Sequence, residues 1–203
     1  MNRRAMKLRL RIAAALLLPL ALHACSGGAS RQDESPPLAG AAIGGPFTLV
    51  DKDGRTVRWG NFAGKYRVVY FGYTFCPDAC PTDVAAMMQG FARFAKAHPD
   101  LASGVQPIFI TIDPARDTPK VVGEFAAAFS PRLLGLTGTA AQVDQAAQAF
   151  RVYYAKGKQS SGGYLMDHSR IAYLMGRQGE PLAMMPVDKG ADAVGAELAK
   201  WVR

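Results

Sequence analysis

Two continuous apolar runs, each followed by a helical pattern, limit the possible folds most strongly. Arg67–Tyr73 reads RVVYFGY and Pro107–Ile112 reads PIFITI, and neither run alternates regularly between apolar and polar residues. Strands of this kind are buried on both faces, as in a parallel sheet covered by helices. Apolar residues at helical spacing follow each run, and Thr118 and Pro119 form a cap and first turn for the second helix. The chain therefore contains repeated strand–helix units.

Two hairpins and two further helices complete the predicted fold. Asp53 and Gly54 lie between two short strand patterns and predict a tight turn. Arg177–Glu180 separates the strand patterns Ile171–Met175 and Leu182–Met185 and predicts a late hairpin. A capping-box pattern starts one more helix, and an amphipathic helix ends the chain. This order predicts an α/β, thioredoxin-like fold with a mixed central sheet flanked by helices and an N-terminal β-hairpin extension.

The first 24 residues have the features of a bacterial export signal. A basic stretch precedes the apolar run Ile12–Leu22, which is too short to span a bilayer comfortably. The run leads to Ala24 and Cys25, which resemble the cleavage site of a lipoprotein signal. We expect residues 1–24 to be removed and Cys25 to be lipidated. An ordinary signal peptide with an incidental cysteine is the alternative, and either signal exports the protein to a compartment where thiols tend to oxidise.

A tether and one folded domain make up the rest of the chain. Residues 25–44, rich in Gly, Ser, Ala and Pro, predict the lipidated cysteine and a flexible linker, and residues 45–203 form the domain. The mature protein is then a membrane-anchored lipoprotein facing the periplasm or the cell exterior.

The net charge of +8 is poor evidence for nucleic-acid binding, because five of the 24 basic residues and no acidic residue lie in the export signal. We expect no nucleic-acid partner.

The segment Cys76-Pro-Asp-Ala-Cys80-Pro81 carries the most informative chemistry. It follows a buried strand and precedes a helix, so Pro81 suits the first helical turn and disfavours a helical conformation at Cys80. The helix dipole and free N–H groups favour a thiolate there. Three intervening residues allow a disulfide and also leave room for a metal between the sulfur atoms. Two thiolates in an exported protein suit a soft ion, above all Cu(I). A permanent structural disulfide is the alternative.

Imidazole is the natural third ligand beside two thiolates, and the chain has three histidines. His23 belongs to the export signal, and His98 precedes Pro99 at the predicted end of a helix, where a surface capping role explains it. His168 lies at the entry to the predicted strand Ile171–Met175. A histidine at a strand end is more often structural than a ligand, but the exported cysteine pair favours His168 as a metal ligand.

Three ordered blocks of sequence closely resemble the SCO/SenC family of copper-binding proteins. They are Gly72–Pro81 with both cysteines, Ile112–Pro119 with the sequence IDPARDTP, and Asp167–Ser169 with an aromatic residue upstream. The resemblance covers roughly residues 45–203. It implies a thioredoxin-like domain on a membrane tether, and a role in assembling the copper centre of cytochrome c oxidase.

The resemblance also implies a ligand set and partners. The family's copper ligands map to Cys76, Cys80 and His168. The implied partners are the copper-binding subunit of cytochrome c oxidase, other copper chaperones or thiol reductants, and the membrane through the lipid anchor. Cu(I) is the expected ion, and Cu(II) would take further oxygen or nitrogen donors. We expect a metallochaperone rather than an enzyme. A thiol–disulfide oxidoreductase that keeps the oxidase cysteines reduced is the alternative, and it does not need His168.

Four further residues lie close to these motifs. Asp78, Asp113 and Asp167 are candidates for tuning the site or docking a partner. Turn and cap chemistry explains Asp78 and Asp167, whereas Asp113 follows a buried strand, where thioredoxin-like folds place residues near the active loop. Met166 lies two residues before His168 and is the one methionine to consider as a ligand, since core packing explains the other methionines of the mature chain better.

Overall fold

The computed structural model describes residues 34–158 and 163–203, so the predicted export signal and Cys25 lie outside the described residues. Short 3₁₀ turns occupy Trp59–Phe62 and Val187–Lys189. The strands and helices of the described ranges are, in chain order, β1 (Thr48–Val50), β2 (Thr56–Arg58), β3 (Tyr66–Gly72), α1 (Ala79–Ala97), α2 (Pro99–Ser103), β4 (Val105–Thr111), α3 (Pro119–Phe129), β5 (Leu134–Leu136), α4 (Ala140–Ala149), β6 (Tyr154–Lys156), β7 (Met166–His168), β8 (Ala172–Met175), β9 (Pro181–Met185) and α5 (Ala191–Trp201).

A mixed sheet forms the centre of the domain. In the described part of the chain its strand order is β5-β4-β3-β8-β9. β3, β4 and β5 are parallel, whereas β8 and β9 run antiparallel to their neighbours. The two apolar runs of the sequence form β3 and β4, which lie side by side and are almost entirely buried. The predicted α/β class, both hairpins and the mixed sheet are confirmed, and β1 pairs with β2 as the N-terminal hairpin.

Local sequence signals set where the helices begin. The Thr118 side chain accepts a backbone N–H from the first turn of α3, and Pro119 is the first residue of that helix. Thr139 and Gln142 form the predicted capping box at the start of α4.

The helices pack in pairs with other elements: α1 packs along α5, and α3 packs against β5. Among the helices of the described ranges, none combines the length and hydrophobicity that a membrane span needs.

Residues 35–44 differ from the predicted flexible linker because they pack on the domain. The backbone N–H of Leu38 donates to β9 at 3.0 Å, and that of Gly44 donates to the last residue of α4 at 2.8 Å. Leu38 and Ile43 also contact the hydrophobic core. The compact unit therefore starts at Ser35, ten residues before the predicted boundary. A segment rich in Gly, Ala and Pro is held here by a few backbone bonds and two apolar side chains.

The surroundings of His168 also differ from the prediction. His168 is the last residue of β7, which pairs with β6 in a separate two-stranded sheet, rather than the entry to a strand of the central sheet. Tyr154 is its register partner in β6. Strands of three residues are too short to show a period in the sequence, so the sequence does not predict β5, β6 and β7, whereas the Asp53-Gly54 turn marks the equally short β1 and β2.

The close packing of α1 on α5 gives a stability prediction. A Cβ on Gly90 would lie 2.6 Å from the Val194 side chain and 2.7 Å from the Ala191 carbonyl oxygen. We expect Gly90→Ala to lower the free energy of unfolding by about 1–2 kcal/mol in urea titrations, because overpacking outweighs the better helix propensity of alanine. Gly60→Ala is the control, since a Cβ there meets no atom within 4 Å. Equal stability of the two variants would contradict the packing described for α1 and α5.

Candidate metal centre

The two cysteines lie where β3 leads into α1. Cys80 is fully buried, Cys76 is partly exposed in the preceding loop, and both are free thiols. α1 begins at Ala79, so Cys80 is already helical, and the expectation that Pro81 would keep it out of the helix is wrong. The third residue of a helix has no intrahelical partner for its N–H, and proline is therefore tolerated in this first turn.

The N-terminal amides of α1 act on Cys76 rather than on Cys80. Cys76 Sγ accepts the backbone N–H of Cys80 at 3.2 Å. Burial opposes ionisation of Cys76, but the N–H groups of Cys80 and Asp78, together with hydrogen bonds from the Cys80 and Tyr73 side chains, outweigh it and hold the pKa of the Cys76 thiol below its usual value. Burial raises the pKa of Cys80 to about 12. The thiolate predicted near Cys80 is thus favoured at Cys76 instead, because the buried sulfur loses its solvation.

His168 reaches the buried cysteine. Its Nε2 atom lies 3.3 Å from Cys80 Sγ, and its Nδ1 atom lies 3.0 Å from the carbonyl oxygen of Ser169. A carbonyl can only accept, so Nδ1 carries the ring proton and Nε2 presents a lone pair toward the sulfur. Burial lowers the pKa of His168, which keeps the imidazole neutral further into the acid range. The Tyr73 ring meets the imidazole edge-on, with ring centroids 5.9 Å apart.

The structure therefore places the side chains of Cys80 and His168 in direct contact. The Cys76 side chain contacts the backbone of Cys80. In residues 34–158 and 163–203, no three His, Cys, Asp or Glu side chains form a ready-made metal cluster. The Cys76 sulfur accepts the backbone N–H of Cys80. A rotation of the partly exposed Cys76 side chain would break this hydrogen bond and free the sulfur to bind a metal. Two sulfur atoms and one neutral imidazole nitrogen make a donor set that suits a soft ion such as Cu(I).

Asp113 holds a neighbouring segment rather than either cysteine. Its carboxylate pairs with Arg116 and accepts the Tyr164 hydroxyl at 2.8 Å. The Arg116 guanidinium stacks on the Tyr164 ring, 3.7 Å from its centroid, and on the Phe75 ring at 4.8 Å. Phe75 precedes Cys76 and Tyr164 lies four residues before His168. Arg116 thus connects the cysteine loop with the chain that enters β7.

Asp117, which the sequence did not single out, secures the cysteine loop. It is fully buried and accepts both the Thr74 N–H at 3.0 Å and the Thr74 hydroxyl at 2.6 Å. The Thr111 hydroxyl, at the end of β4, is its third donor at 2.5 Å. Burial raises the pKa of Asp117 although these donors favour the charged form. The loop before Cys76 is therefore fixed to the neighbouring strand.

The remaining candidates lie at the surface or in the hydrophobic core. Asp78 and Asp167 are exposed, and Asp78 occupies the cap position of α1 without a side-chain cap bond. Met166 is buried in the hydrophobic core, so packing explains it. His98 ends α1 at the surface, as predicted.

Comparison with known proteins identifies the family. The family model described as SCO1/SenC matches residues 35–203, which is most of the chain. The chain belongs to the SCO1/SenC family. Within it, the protein SenC of Rhodobacter capsulatus is 44% identical over 137 residues, covering 68% of this chain and 60% of SenC. The chain spans about half the length of the curated SCO1/SenC relatives it matches.

Solved structures of SCO1/SenC proteins share the fold. ScoI of Bradyrhizobium japonicum, solved with copper bound, is 36% identical with a TM-score of 0.71, covering 79% of this chain and 99% of ScoI. A structure of BsSco, described as a member of the Sco family of cytochrome c oxidase assembly proteins with a disulfide switch, is 25% identical with a TM-score of 0.59, covering 77% of this chain and 93% of BsSco. The predicted thioredoxin-like architecture is confirmed by these neighbours.

The unequal environments of the two cysteines predict unequal reactivity in this SCO1/SenC domain. At neutral pH, iodoacetamide should alkylate Cys76 at least about tenfold faster than Cys80, because the thiolate is the nucleophile and Cys80 is a buried thiol. Peptide mass spectrometry of the reduced protein at successive times gives both rates. Cys76→Ser is the control, in which Cys80 should remain slow. Equal labelling of both residues would contradict the geometry described for α1.

Proposed function

We propose that this protein is a copper chaperone that binds copper through Cys76, Cys80 and His168 and serves the assembly of cytochrome c oxidase. The observation that carries the proposal is the 3.3 Å contact between Cys80 Sγ and His168 Nε2, with the Cys76 sulfur 3.2 Å from the backbone nitrogen of Cys80. Two related findings support it: ScoI was solved with copper bound, and BsSco is described as belonging to a family of oxidase assembly proteins.

Copper is the cargo of this site, and its donor set suits transfer. Thiolates and imidazole are ligands that Cu(I) accepts in a low coordination number, which leaves a position for a ligand from the partner. Cys80 is buried, whereas Cys76 is partly exposed. Of the two thiolates, Cys76 would therefore be the first to exchange with a partner. Cu(II) would require further oxygen or nitrogen donors.

The surface around the ligands suits docking of the copper-binding subunit of the oxidase. Phe75, Tyr153 and Leu165 are large apolar residues that are more than half exposed. Phe75 adjoins Cys76, Leu165 lies three residues before His168, and Tyr153 accepts the N–H of Ser169. Apolar surface gathered around a functional site marks a contact surface for another protein.

The proposed location follows from the N-terminal sequence. Residues 1–24 would direct export, and a lipid on Cys25 would anchor the protein in the membrane. Residues 26–34 would then be the tether to the folded unit, which starts at Ser35. The copper site would then face the periplasm or the cell exterior. Mass spectrometry of the membrane-extracted protein would test this through the mass of a lipidated N-terminal cysteine.

The second candidate function is a thiol–disulfide oxidoreductase that keeps the oxidase cysteines reduced. The observation that favours it is the asymmetry of the dithiol, with an activated and accessible Cys76 beside a buried Cys80. Such a pair can attack a partner disulfide with the outer sulfur and resolve it with the inner one. This function gives His168 no direct part.

His168→Ala separates the two functions. We expect it to weaken Cu(I) affinity by roughly 10–100-fold or more, a loss that is typical even when residues behind a metal ligand are removed. The Cys76–Cys80 disulfide should still form and be reduced, because the exchange takes place between sulfur atoms and does not require an imidazole. Competition with a chromophoric Cu(I) chelator gives the affinity, and His98→Ala is the control at an exposed histidine. Normal oxidase activity at low copper in His168→Ala cells, but not in Cys76→Ala cells, would favour the oxidoreductase.

Oxidation should gate copper binding. A disulfide between Cys76 and Cys80 removes both thiolates, so the oxidised protein should lose tight copper binding and regain it on reduction. The measurement is the copper content of samples whose oxidation state is fixed by mass spectrometry. X-ray absorption of the reduced copper form should contain sulfur and nitrogen scatterers. Full copper occupancy in the disulfide form, or a spectrum without sulfur, would refute the proposed ligand set.

A further inference from the structure

A second contact joins the same two segments that bring Cys80 and His168 together. Asp83 lies three residues after Cys80 in α1, and Arg170 lies two residues after His168. The Arg170 guanidinium binds both carboxylate oxygens of Asp83, through Nε at 3.0 Å and a terminal nitrogen at 2.7 Å. The Cys80–His168 and Asp83–Arg170 contacts therefore lie side by side between α1 and the chain leaving β7.

Asp83 is the buried partner of this ion pair and is held in place within the core. Asp83 is 1% exposed, whereas the Arg170 side chain is 50% exposed. The Tyr70 hydroxyl, from β3, donates to the same carboxylate at 3.0 Å. A buried carboxylate requires such partners, since leaving it unpaired is costly. Two parallel N–H donors also fix the distance and the angle at which Arg170 approaches.

The Arg170 end of the ion pair lies two residues after His168 in the chain. β7 belongs to the separate small sheet, so the central sheet does not set its position directly. Pairing with the chain before β6 continues past His168, because the Ser169 N–H donates to the Tyr153 carbonyl at 3.0 Å. Residues two apart in an extended chain point to the same side. Anchoring Arg170 on α1 therefore brings the His168 ring to the same helix.

We propose that Arg170 is a positioning residue of the metal centre: through Asp83 it holds His168 against Cys80 before the metal arrives. The inference deepens the proposed function and rests on it. Arg170 acts through His168 rather than as a ligand. Because the ion pair orders the imidazole in the metal-free protein, copper binding does not bear the cost of that ordering.

The decisive experiment combines Arg170→Met with His168→Ala in the reduced full-length protein. Cu(I) affinity is measured by chelator competition. Arg170→Met alone should weaken it about 10–100-fold, as for residues that orient a ligand. In the His168→Ala background, Arg170→Met should change affinity by less than about twofold, because residues that act through one another are not additive. Unchanged affinity in Arg170→Met, or an equal loss in both backgrounds, would overturn the proposal.

Two further variants separate positioning from stability. Asp83→Asn with Arg170→Met removes the ion pair without leaving a buried charge, and it should bind copper as weakly as Arg170→Met alone. Recovery of wild-type affinity in this double variant would overturn the proposal. Arg93→Met is the matched control, since it removes an exposed ion pair between α1 and Asp192, and its affinity should equal that of the wild type.

A metal-free measurement distinguishes this inference from the proposed function. In ¹⁵N NMR spectra, the wild-type His168 ring should be neutral with its proton on Nδ1, and Arg170→Met should give mixed tautomers. If His168→Ala leaves copper affinity unchanged, the proposed ligand set fails, and the NMR comparison still decides whether Arg170 places the ring. Identical His168 signals in the wild type and Arg170→Met would overturn the positioning role.

Discussion

The close approach of α1 to the end of β3 is the constraint on which the site depends. A Cβ on Gly72 would lie 3.1 Å from Cys80 Sγ and 2.8 Å from the Tyr70 ring, so a larger residue would push the helix away. Glycine therefore allows the first turn of α1 to sit directly on the sheet. Cys80 is therefore buried away from solvent, and its sulfur faces the imidazole of His168. Its buried position also explains why the amides of the helix N-terminus activate Cys76 instead.

The block Ile112–Pro119 supports both ligand segments from one place. Asp117 ties the loop before Cys76 to the end of β4, and Arg116 with Asp113 holds the chain that enters β7. These charged residues lie near the donors without being donors. Their arrangement makes the candidate metal centre the meeting point of three loops. The partly exposed Cys76 can then change its contact while Cys80 stays buried beside His168.

The sequence predicted the parts of this molecule that rest on local patterns. The apolar runs gave β3 and β4, and the Thr-Pro and capping-box signals gave the starts of α3 and α4. It did not predict the Arg170–Asp83 pair, because two residues 87 positions apart have no local signal. The one available hint was an acidic residue on the apolar face of α1. The composition of residues 35–44 also predicted a flexible linker, whereas Leu38 and Ile43 attach this segment to the core.

The burial of Cys80 bears on the choice between the two functions. Burial raises the pKa of Cys80 to about 12, so its thiol is protonated at neutral pH. An oxidoreductase needs its inner cysteine as a thiolate to resolve a mixed disulfide, so burial slows that step. A bound cation changes the balance, because its charge replaces the lost solvation and displaces the thiol proton. Cu(I) at Nε2 of His168 would supply that charge beside the sulfur. The environment of Cys80 therefore penalises thiol exchange more than it penalises metal binding, and it favours the copper chaperone.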